Sequence, residues 1–476
     1  MSSKPQKPQD PQNPDFVRLK NIPVDYIQQI ETDLLEAVVN QEATNTTTGF
    51  CRFELQNKGI LHSHSKLFLS LVPNASQAFF PLNIGVGSLV ERAVLKIGNQ
   101  VLNEITDWQN LFGVKSSLID NEMNKEREQY TTGRMINHKF INRDGDGAFS
   151  TVNFDKYGID NGREAETVGG DMGKNLIPLQ FALMEDTSAG TIAESPVYAL
   201  DLSDLFPFLK SHELPLFMIK APVSIELHWS KKVSDRVVVG ANASANQAFT
   251  IDNNELKFCA DYIFYGATDE MARYAEENKN MEFQFEDYRL AKTSATQAQL
   301  AQGIVSNLGM ANRYVSRVIH TFSMDGEGAD TLLNRYGCET PIQNASSITG
   351  AISYNLRYND RFEFSSDLSN PARIFNNFVA SEGVPFVSRS EYSNEQGGIT
   401  AYETYAGTDQ SNIQSGIRGK FGFIGTRLTG GRVGVKGIEL HLKMDEVQAF
   451  THTIRSYCEY MRVARLSNGL IEVYNV

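Results

Sequence analysis

Residues Val223–Trp229 read VSIELHW, and apolar side chains alternate with polar ones throughout this stretch. Successive side chains of a β-strand point to opposite faces of the sheet, so the alternation predicts a strand with one buried face. The tetrapeptide IELH recurs at Ile438–His441, late in the second half of the chain. Each copy precedes a Cys-bearing aromatic segment, Phe258-Cys259 after the first and Tyr457-Cys458 after the second. This recurrence predicts two copies of one β-sandwich.

The same period of two extends outward from this strand in both directions. Gly98-Asn99 supplies the turn residues of a tight hairpin that follows the alternating segment 93–97. Strands are also predicted at 51–55, 67–71, 256–265, 281–290, 314–324, 352–358, 438–443, 457–463 and 470–476. The sequence therefore predicts an all-β fold built from half-buried antiparallel strands.

The predicted helices are few and short. Asp107 is placed to cap a helix, and a second helix is predicted over Asp269–Asn278. The apolar stripe of the first helix consists of Trp108, Leu111, Phe112 and Leu118. Another set shares one face at helical spacing and predicts an amphipathic helix over 24–39: Tyr26, Ile27, Ile30, Leu34 and Val38.

At 476 residues the chain is long enough for two domains, which agrees with the repeated pattern. The predicted division is a Pro-rich arm with a short helix at 1–45, a first β domain at 46–268, a helical linker at 269–280 and a second β domain at 281–476. Segments 131–174 and 386–416 are predicted to be long surface loops.

Charge and cysteine content restrict the function. The chain has 44 Lys and Arg against 57 Asp and Glu, a net charge of -13, and no basic run, which disfavours nucleic-acid binding. Its four cysteines, Cys51, Cys259, Cys338 and Cys458, form no CxxC pair, which fits a reducing compartment. The N-terminus lacks an apolar leader and no segment is apolar enough to span a bilayer, so synthesis in the cytoplasm or nucleus is expected. The sequons at Asn45, Asn74, Asn242 and Asn344 are then expected to be unused.

One motif suggests a metal site. His62-x-His64 would place two imidazoles on one strand face, as in a cupin. The carboxylate that a cupin needs four or five residues later is absent, because Phe68 and Leu69 stand there. The segment is therefore interpreted as an ordinary strand, although an enzyme of the bicupin type remains an alternative that metal analysis would test.

Two further motifs are incomplete. The segment from Asn142 to Gly147 opens like a calcium loop, but Asn153 stands where a bidentate Glu is required. Gly85-Val86-Gly87 is followed by Val90 where a dinucleotide-binding fingerprint needs Gly. No nucleophile motif is present either. The sequence thus predicts no catalytic residue, no cofactor-binding residue and no metal ligand.

Four motifs occur in a recognisable order. FELQNKG at Phe53–Gly59 precedes the strand Leu67–Leu71, and VLKIGNQ at Val94–Gln100 precedes Trp108. LPLF at Leu214–Phe217 leads into Val223–Trp229, and ADYIFY at Ala260–Tyr265 precedes Asp269-Glu270. In this order they resemble the double jelly-roll major capsid proteins of polinton-like viruses, virophages and nucleocytoplasmic large DNA viruses. The motif matches cover about residues 50–290; Asn280–Phe283 departs from the His-Glu-Tyr-Leu of the large-virus members, so the resemblance is nearer to the smaller relatives.

The resemblance implies two eight-stranded jelly rolls and a homotrimer of pseudo-hexagonal outline that tiles an icosahedral virion. It also implies penton and minor or cement proteins as partners, and no catalysis. The helix at 24–39 would either pack beneath its own domain or, with the Pro-rich arm, reach beneath a neighbouring subunit. A tandem-sandwich carbohydrate-binding or fibre protein is the alternative from another functional class.

Overall fold

The computed structural model describes most of the predicted strands. The described residues are 27–44, 47–73, 78–79, 85–119, 131–132, 139–143, 149–155, 158–159, 177–178, 186–187, 191–192, 197–231, 239–240, 249–265, 276, 280–325, 352–369, 371–382, 423–429, 431–444 and 451–476.

Among the described residues, twenty strands precede residue 266. They are β1 Ile27–Glu36, β2 Val39–Gln41, β3 Gly49–Leu55, β4 Ile60–Leu61, β5 Lys66–Leu69, β6 Leu71–Pro73, β7 Ala78–Phe79, β8 Val90–Ile97, β9 Gln100–Thr106, β10 Lys139–Arg143, β11 Phe149–Asp155, β12 Gly158–Ile159, β13 Ile177–Pro178, β14 Asp186–Thr187, β15 Thr191–Ile192, β16 Tyr198–Asp201, β17 Val223–Trp229, β18 Val239–Gly240, β19 Phe249–Ile251 and β20 Lys257–Tyr265.

The second half contributes nine further strands to the described part of the chain. They are β21 Asn280–Thr296, β22 Ile304–Gly309, β23 Val315–Asp325, β24 Ile352–Tyr358, β25 Arg361–Phe362, β26 Phe423–Arg427, β27 Ile438–Met444, β28 Thr451–Ser467 and β29 Leu470–Asn475. The helices are α1 Trp108–Ile119, α2 Leu202–Leu205, α3 Phe208–Ser211, α4 Gln297–Gln302 and α5 Pro371–Glu382, with 3-10 turns at Gly85–Leu89 and Leu216–Met218.

The two halves have the same strand topology. In the first half one sheet has the order β1-β20-β5-β16 with β4 also beside β20, and the other has the order β2-β3-β17-β8-β9. In the second half the orders are β21-β28-β23-β26, with β29 beside β28, and β22-β27-β24-β25. Eight strands therefore correspond in sequence order, β1 to β21, β3 to β22, β5 to β23, β8 to β24, β9 to β25, β16 to β26, β17 to β27 and β20 to β28. The prediction of two tandem eight-stranded antiparallel sandwiches with short connecting helices is confirmed.

Alternation places the predicted residues in the cores. Val223, Ile225, Leu227 and Trp229 of β17 are at most 1% exposed, and β17 pairs on one side with β3 and on the other with β8. Full burial of each such side chain contributes about 1.5–3 kcal/mol. Ile438, Leu440 and Leu442 are buried in the equivalent strand β27. The IELH recurrence thus marks equivalent strands, because the same position in each sandwich imposes the same pattern.

The Gly98-Asn99 hairpin is also confirmed, since β8 pairs with β9 across it. Gly98 has a φ of 58°, in the left-handed region that glycine tolerates best. The β28–β29 hairpin uses Asn468 and Gly469, with φ of 52° and 86°, for the same reason.

The helix predicted over 24–39 is wrong where the structure describes it, because residues 27–36 form strand β1. Ile30, Leu34 and Val38 are four residues apart, and an even spacing puts residues on one face of a strand as well as of a helix. Pairing with β20, in continuous register from Gln29–Phe264 to Glu36–Lys257, decides between the two. The paired strands of the first sandwich therefore begin before residue 46. The Pro-rich segment 1–26 lies outside the described residues.

The predicted loop at 131–174 contains strands of its own. β10 pairs with β11 in an antiparallel hairpin, and β12 and β13 extend these into a four-stranded sheet. The segment is rich in Gly, Asp and Asn, which predicts a loop, but it also contains short apolar groups such as Phe140-Ile141 that form strands. The predicted loop at 386–416 lies outside the described residues, and in the predicted linker at 269–280 only Glu276, which is helical, and Asn280, the first residue of β21, are described.

Candidate functional site: the junction of the two sandwiches

The junction between the sandwiches joins β9, α1 and α3 of the first to β21 and β28 of the second. The Asp107 carboxylate accepts hydrogen bonds from Arg455 Nε at 2.9 Å and lies 2.6 Å from Lys292 Nζ. The Tyr457 hydroxyl donates to the Asp107 carbonyl oxygen at 2.9 Å. Asp107, the residue predicted to cap α1, thus directs its carboxylate to two cations of the second sandwich, which favour charge-assisted hydrogen bonds.

A second polar group lies deeper in the junction. Arg462 Nη1 lies 2.7 Å from Asp287 Oδ2 and donates to the Leu102 carbonyl oxygen at 2.9 Å. Asn103 Nδ2 donates to Asp287 Oδ1 at 3.2 Å, and the Phe208 backbone N–H donates to Asn103 Oδ1 at 3.0 Å. Burial raises the pKa of Asp287 to about 6, although Arg462 opposes this. The Asp287 carboxylate thus connects an edge strand of each sandwich.

Aromatic packing completes the junction. The Phe208 ring lies edge-on to the rings of Phe283 and Phe285, with centroids 5.6 and 5.2 Å away. His212 Nε2 donates to the Gln284 carbonyl oxygen at 2.7 Å. Pairs of this geometry add about 0.5–1.5 kcal/mol beyond the area they bury. The combination of buried ions and aromatic rings fixes the relative position of the two sandwiches.

An open cleft of about 580 Å³ lies beside this polar group. Val101, Glu104 and Thr106 of β9 line one wall, and residues of β21, β28 and β29 line the rest together with Arg313, which lies between β22 and β23. Its lining carries two acidic residues, Glu104 and Asp287, and four basic ones, Arg289, Lys292, Arg313 and Arg462, so basic groups are in excess. Asp287 pairs with Arg462 inside the cleft, and Glu104 pairs with Arg92. No arrangement of nucleophile and base lies among its described residues.

The two histidines of the cupin-like motif lie in a turn between β4 and β5, not along one strand. Their ring centroids are 5.1 Å apart, and His62 Nδ1 accepts a hydrogen bond from the His64 backbone N–H at 3.0 Å. Within the described ranges no group of three His, Cys, Asp or Glu residues could hold a metal ion.

The structure also locates the glycine motif, part of the calcium-like segment and three of the cysteines. Gly85–Leu89 forms a buried 3-10 turn that leads into β8. The calcium-like segment reaches only as far as Arg143 within the described residues. Cys51 and Cys458 are buried and Cys259 is partly buried; all three are free thiols, and burial raises the pKa of each. Cys338 lies outside the described residues.

Glu213 is a buried carboxyl group that the sequence did not single out. Its side chain is 0% exposed, and no described residue hydrogen-bonds to either of its oxygens. His62 Nε2 lies 4.0 Å from Glu213 Oε1. Burial raises the pKa of Glu213 to about 7 and lowers that of His62. Its position between α3 and the 3-10 turn at 216–218 places it beside the segment that contacts the second sandwich.

Neither a protein-family model nor a curated protein matches this sequence. Solved structures do match: a capsid structure of the PBCV-1 virus aligns over 96% of this chain and 99% of its own, with a TM-score of 0.52 and 13% identity. The PBCV-1 VP54 structure fitted into a reconstruction of the virophage Sputnik gives the same values. The fold is a double jelly roll.

The major capsid protein of mavirus also aligns, over 100% of this chain and 97% of its own, with a TM-score of 0.47 and 8% identity. Of the junction residues, Asp107, Asn103 and Phe208 belong to the first jelly roll, and Asp287 and Arg462 belong to the second. No described helix is long and apolar enough to cross a membrane.

Proposed function

We propose that the chain is a major capsid protein, a structural subunit of an icosahedral viral shell that carries out no catalysis. The observation that supports this most directly is the end-to-end likeness to the PBCV-1 capsid chain, together with the eight-strand topology repeated in both halves. A jelly roll keeps its strand edges within two facing sheets, so its loops can differ and make contacts without disturbing the core. The location that follows is the virion.

The proposed assembly unit is a homotrimer, in which six jelly rolls form a pseudo-hexagonal capsomer. Closed threefold symmetry requires a heterologous interface, in which one surface of each chain meets a different surface of the next. Each chain contributes two jelly rolls, whose proposed extents are 27–265 and 280–476 from the first and last strands of each half, so three chains contribute six. Penton and minor or cement proteins are the other proposed partners, and segments 131–174 and 386–416 are proposed to contribute tower or inter-subunit contacts.

The Pro-rich segment 1–26 is proposed to reach beneath a neighbouring subunit. Its test requires a deletion that ends at residue 26, because a longer deletion would remove strand β1 and its pairing with β20. If shells of unchanged stability form without residues 1–26, the segment has no role as a tether.

We expect purified protein to have a solution mass of three times the 53.1 kDa chain by multi-angle light scattering. Negative-stain images should then show particles of hexagonal outline, each of the size expected for a trimer. A monomer that never assembles would contradict the capsid proposal. It would favour the alternative of a tandem-sandwich carbohydrate-binding or fibre protein, which glycan-array binding would then test.

A further inference from the structure

The cleft at the junction carries an excess of positive charge in a chain whose net charge is -13. Six charged side chains line it, four of them basic and two acidic, so its net charge is +2. These are Arg289, Lys292, Arg313, Arg462, Glu104 and Asp287. A concave surface that concentrates charge of one sign attracts ligands of the opposite sign. The charge of the cleft therefore favours an anion.

Ion pairs account for all but two of the charged groups that line the cleft. The pairs are Asp287–Arg462, Glu104–Arg92 and Lys292–Asp107. Within the described part of the chain, no carboxylate forms an ion pair with Arg289 or Arg313. A guanidinium group keeps its charge at every physiological pH, because its pKa lies above 12. Two positive charges without a carboxylate partner thus line the cleft.

Both arginines lie beside the turn that connects β22 to β23. The Arg313 guanidinium stacks over the Tyr460 ring, 4.9 Å from the ring centroid, which restrains its position. The Arg289 guanidinium lies beside Gly309, because its Nη2 is 3.9 Å from the position that a Cβ would take there. A hydrogen bond of 3.3 Å from the Arg313 N–H to the Met310 carbonyl oxygen closes the turn between these two places. The two guanidinium groups thus come from different elements to the same side of the cleft.

The cleft lies between the edges of two sheets. Among the described strands, β9 is the last of its sheet in the first jelly roll and β21 is the last of its sheet in the second. The outer backbone N–H groups of an edge strand have no partner strand, so they can donate to a ligand. Thr106 and Asn475 add a hydroxyl and an amide group to the lining. Neutral hydrogen-bond donors therefore accompany the two arginines.

The charge and size of the cleft favour a phosphate group over a carboxylate. A phosphate group carries up to two negative charges and three strong acceptor oxygens, which point in different directions, so groups on separate walls can reach them together. A carboxylate has one charge and two oxygens in one plane. The planar fork of an arginine binds phosphate through two parallel hydrogen bonds. The volume of about 580 Å³ exceeds that of inorganic phosphate and lies in the range of small-ligand sites, so a larger phosphate compound also fits.

We propose that this cleft binds a phosphate group through Arg289 and Arg313 at the junction of the two jelly rolls. Lys292 has three N–H donors, so it can contact the ligand and keep its ion pair with Asp107. The bound group neutralises the two arginines without carboxylate partners and stabilises the folded chain by mass action. The proposal is independent of the capsid function, because every residue of the cleft belongs to one chain.

Isothermal titration of the full chain with pyrophosphate, in sodium chloride of constant ionic strength, should show saturable binding at one site per chain. Arg289→Gln and Arg313→Gln should each weaken this binding at least about tenfold, because each removes charge-assisted hydrogen bonds to the ligand. Arg465→Gln is the matched control: Arg465 is a half-exposed arginine of β28 outside the cleft lining, and its loss should leave binding unchanged. No binding to the parent protein, or equal binding to all four proteins, would overturn the proposal.

Thermal melting separates binding in the cleft from the general stabilising effect of phosphate salts. Pyrophosphate at ten times its dissociation constant should raise the melting temperature of the parent by about 2 °C more than that of the double variant Arg289→Gln, Arg313→Gln. Equal shifts in the two proteins would contradict the proposal, and circular dichroism checks that the double variant is folded.

Three further titrations distinguish the sources of the phosphate group. Inorganic phosphate that binds as tightly as adenosine triphosphate would support a site for the free anion, whereas tighter binding of adenosine triphosphate would support a nucleotide. Binding of a short single-stranded oligonucleotide without binding of phosphate, pyrophosphate or adenosine triphosphate would overturn the proposal in favour of a nucleic-acid surface. A parent protein that binds pyrophosphate but remains monomeric would contradict the capsid proposal and leave this one standing.

Discussion

Arg462→Leu is expected to lower the free energy of unfolding by about 3–5 kcal/mol at neutral pH. The substitution removes the cation from Asp287, which is 2% exposed and has Asn103 as its remaining side-chain hydrogen-bond donor. It also removes the donors to the Leu102 and Val101 carbonyl oxygens of the first jelly roll. Urea denaturation at one protein concentration measures the loss, since the stability of an oligomer depends on concentration.

The pH dependence identifies the cause of that loss. Burial already raises the pKa of Asp287 to about 6 in the presence of Arg462, and removal of the cation should raise it further. A carboxyl group whose pKa is higher in the folded state than in the unfolded state contributes most to folding stability at low pH. That contribution decreases as the pH rises through the folded-state pKa. The deficit of Arg462→Leu should therefore be smaller at about pH 5 than at about pH 8.

Two controls separate the buried pair from a general effect of removing arginine. Arg465→Leu, three residues along β28, removes a half-exposed ion pair with Glu282 and should cost less than about 1 kcal/mol. Arg462→Leu combined with Asp287→Asn should recover much of the lost stability, because no unpaired charge remains. A loss for Arg465→Leu equal to that for Arg462→Leu would contradict the assigned role of the buried pair.

Glu213→Gln is expected to stabilise the protein by about 3 kcal/mol at about pH 8 and to have little effect at about pH 5. The Glu213 carboxyl group is fully buried without a hydrogen-bond partner among the described residues, and its pKa of about 7 lies well above the ordinary 4.5. Because the folded pKa is raised, the native protein loses stability as pH rises from the unfolded to the folded value. Glutamine stays neutral throughout, so the variant should not show this loss.

The charge of the neighbouring His62 affects the pH profile expected for Glu213→Gln. His62 faces the carboxyl group, and His64 and Asp261 are the other titratable groups that act on His62. Burial lowers the pKa of His62, so this imidazole stays neutral where Glu213 ionises and does not compensate the carboxylate charge. Glu255→Gln is the matched control, because Glu255 is exposed on the surface. Parallel pH profiles for the parent and Glu213→Gln in thermal melts would disprove the assignment.

The sequence predicted the sandwiches well because burial of one strand face imposes a period of two. Val223–Trp229 is an example, and its counterpart Ile438–Met444 occupies the equivalent strand. The same reasoning failed for Ile27–Glu36, where the spacing of Ile30 and Leu34 fits a helix and a strand equally. Only the partner strand β20, more than 200 positions away in the sequence, decides that case.

The junction between the jelly rolls could not be predicted from local patterns. Asp287 and Arg462 stand in alternating segments in which a charged residue ordinarily indicates the solvent face, yet Asp287 is buried and Arg462 is partly buried against the first jelly roll. Their roles depend on contacts between distant parts of the chain. Glu213 is similar, because nothing in its neighbourhood of Pro, Leu and His distinguishes a buried carboxyl group from an exposed one.

The position of β28 in the sequence affects how the protein is made. This strand pairs with β21 over its whole length and carries three side chains that hold Asp107 and Asp287, yet more than 150 residues separate the end of β21 from the start of β28. A ribosome adding about 5–20 residues per second leaves β21 without its partner for roughly ten to thirty seconds. A chain that stops short of residue 451 lacks the junction contacts made by Arg455, Tyr457 and Arg462. It keeps only those of β21, such as the packing of Phe208 against Phe283 and Phe285, so its two halves are expected to be joined more weakly.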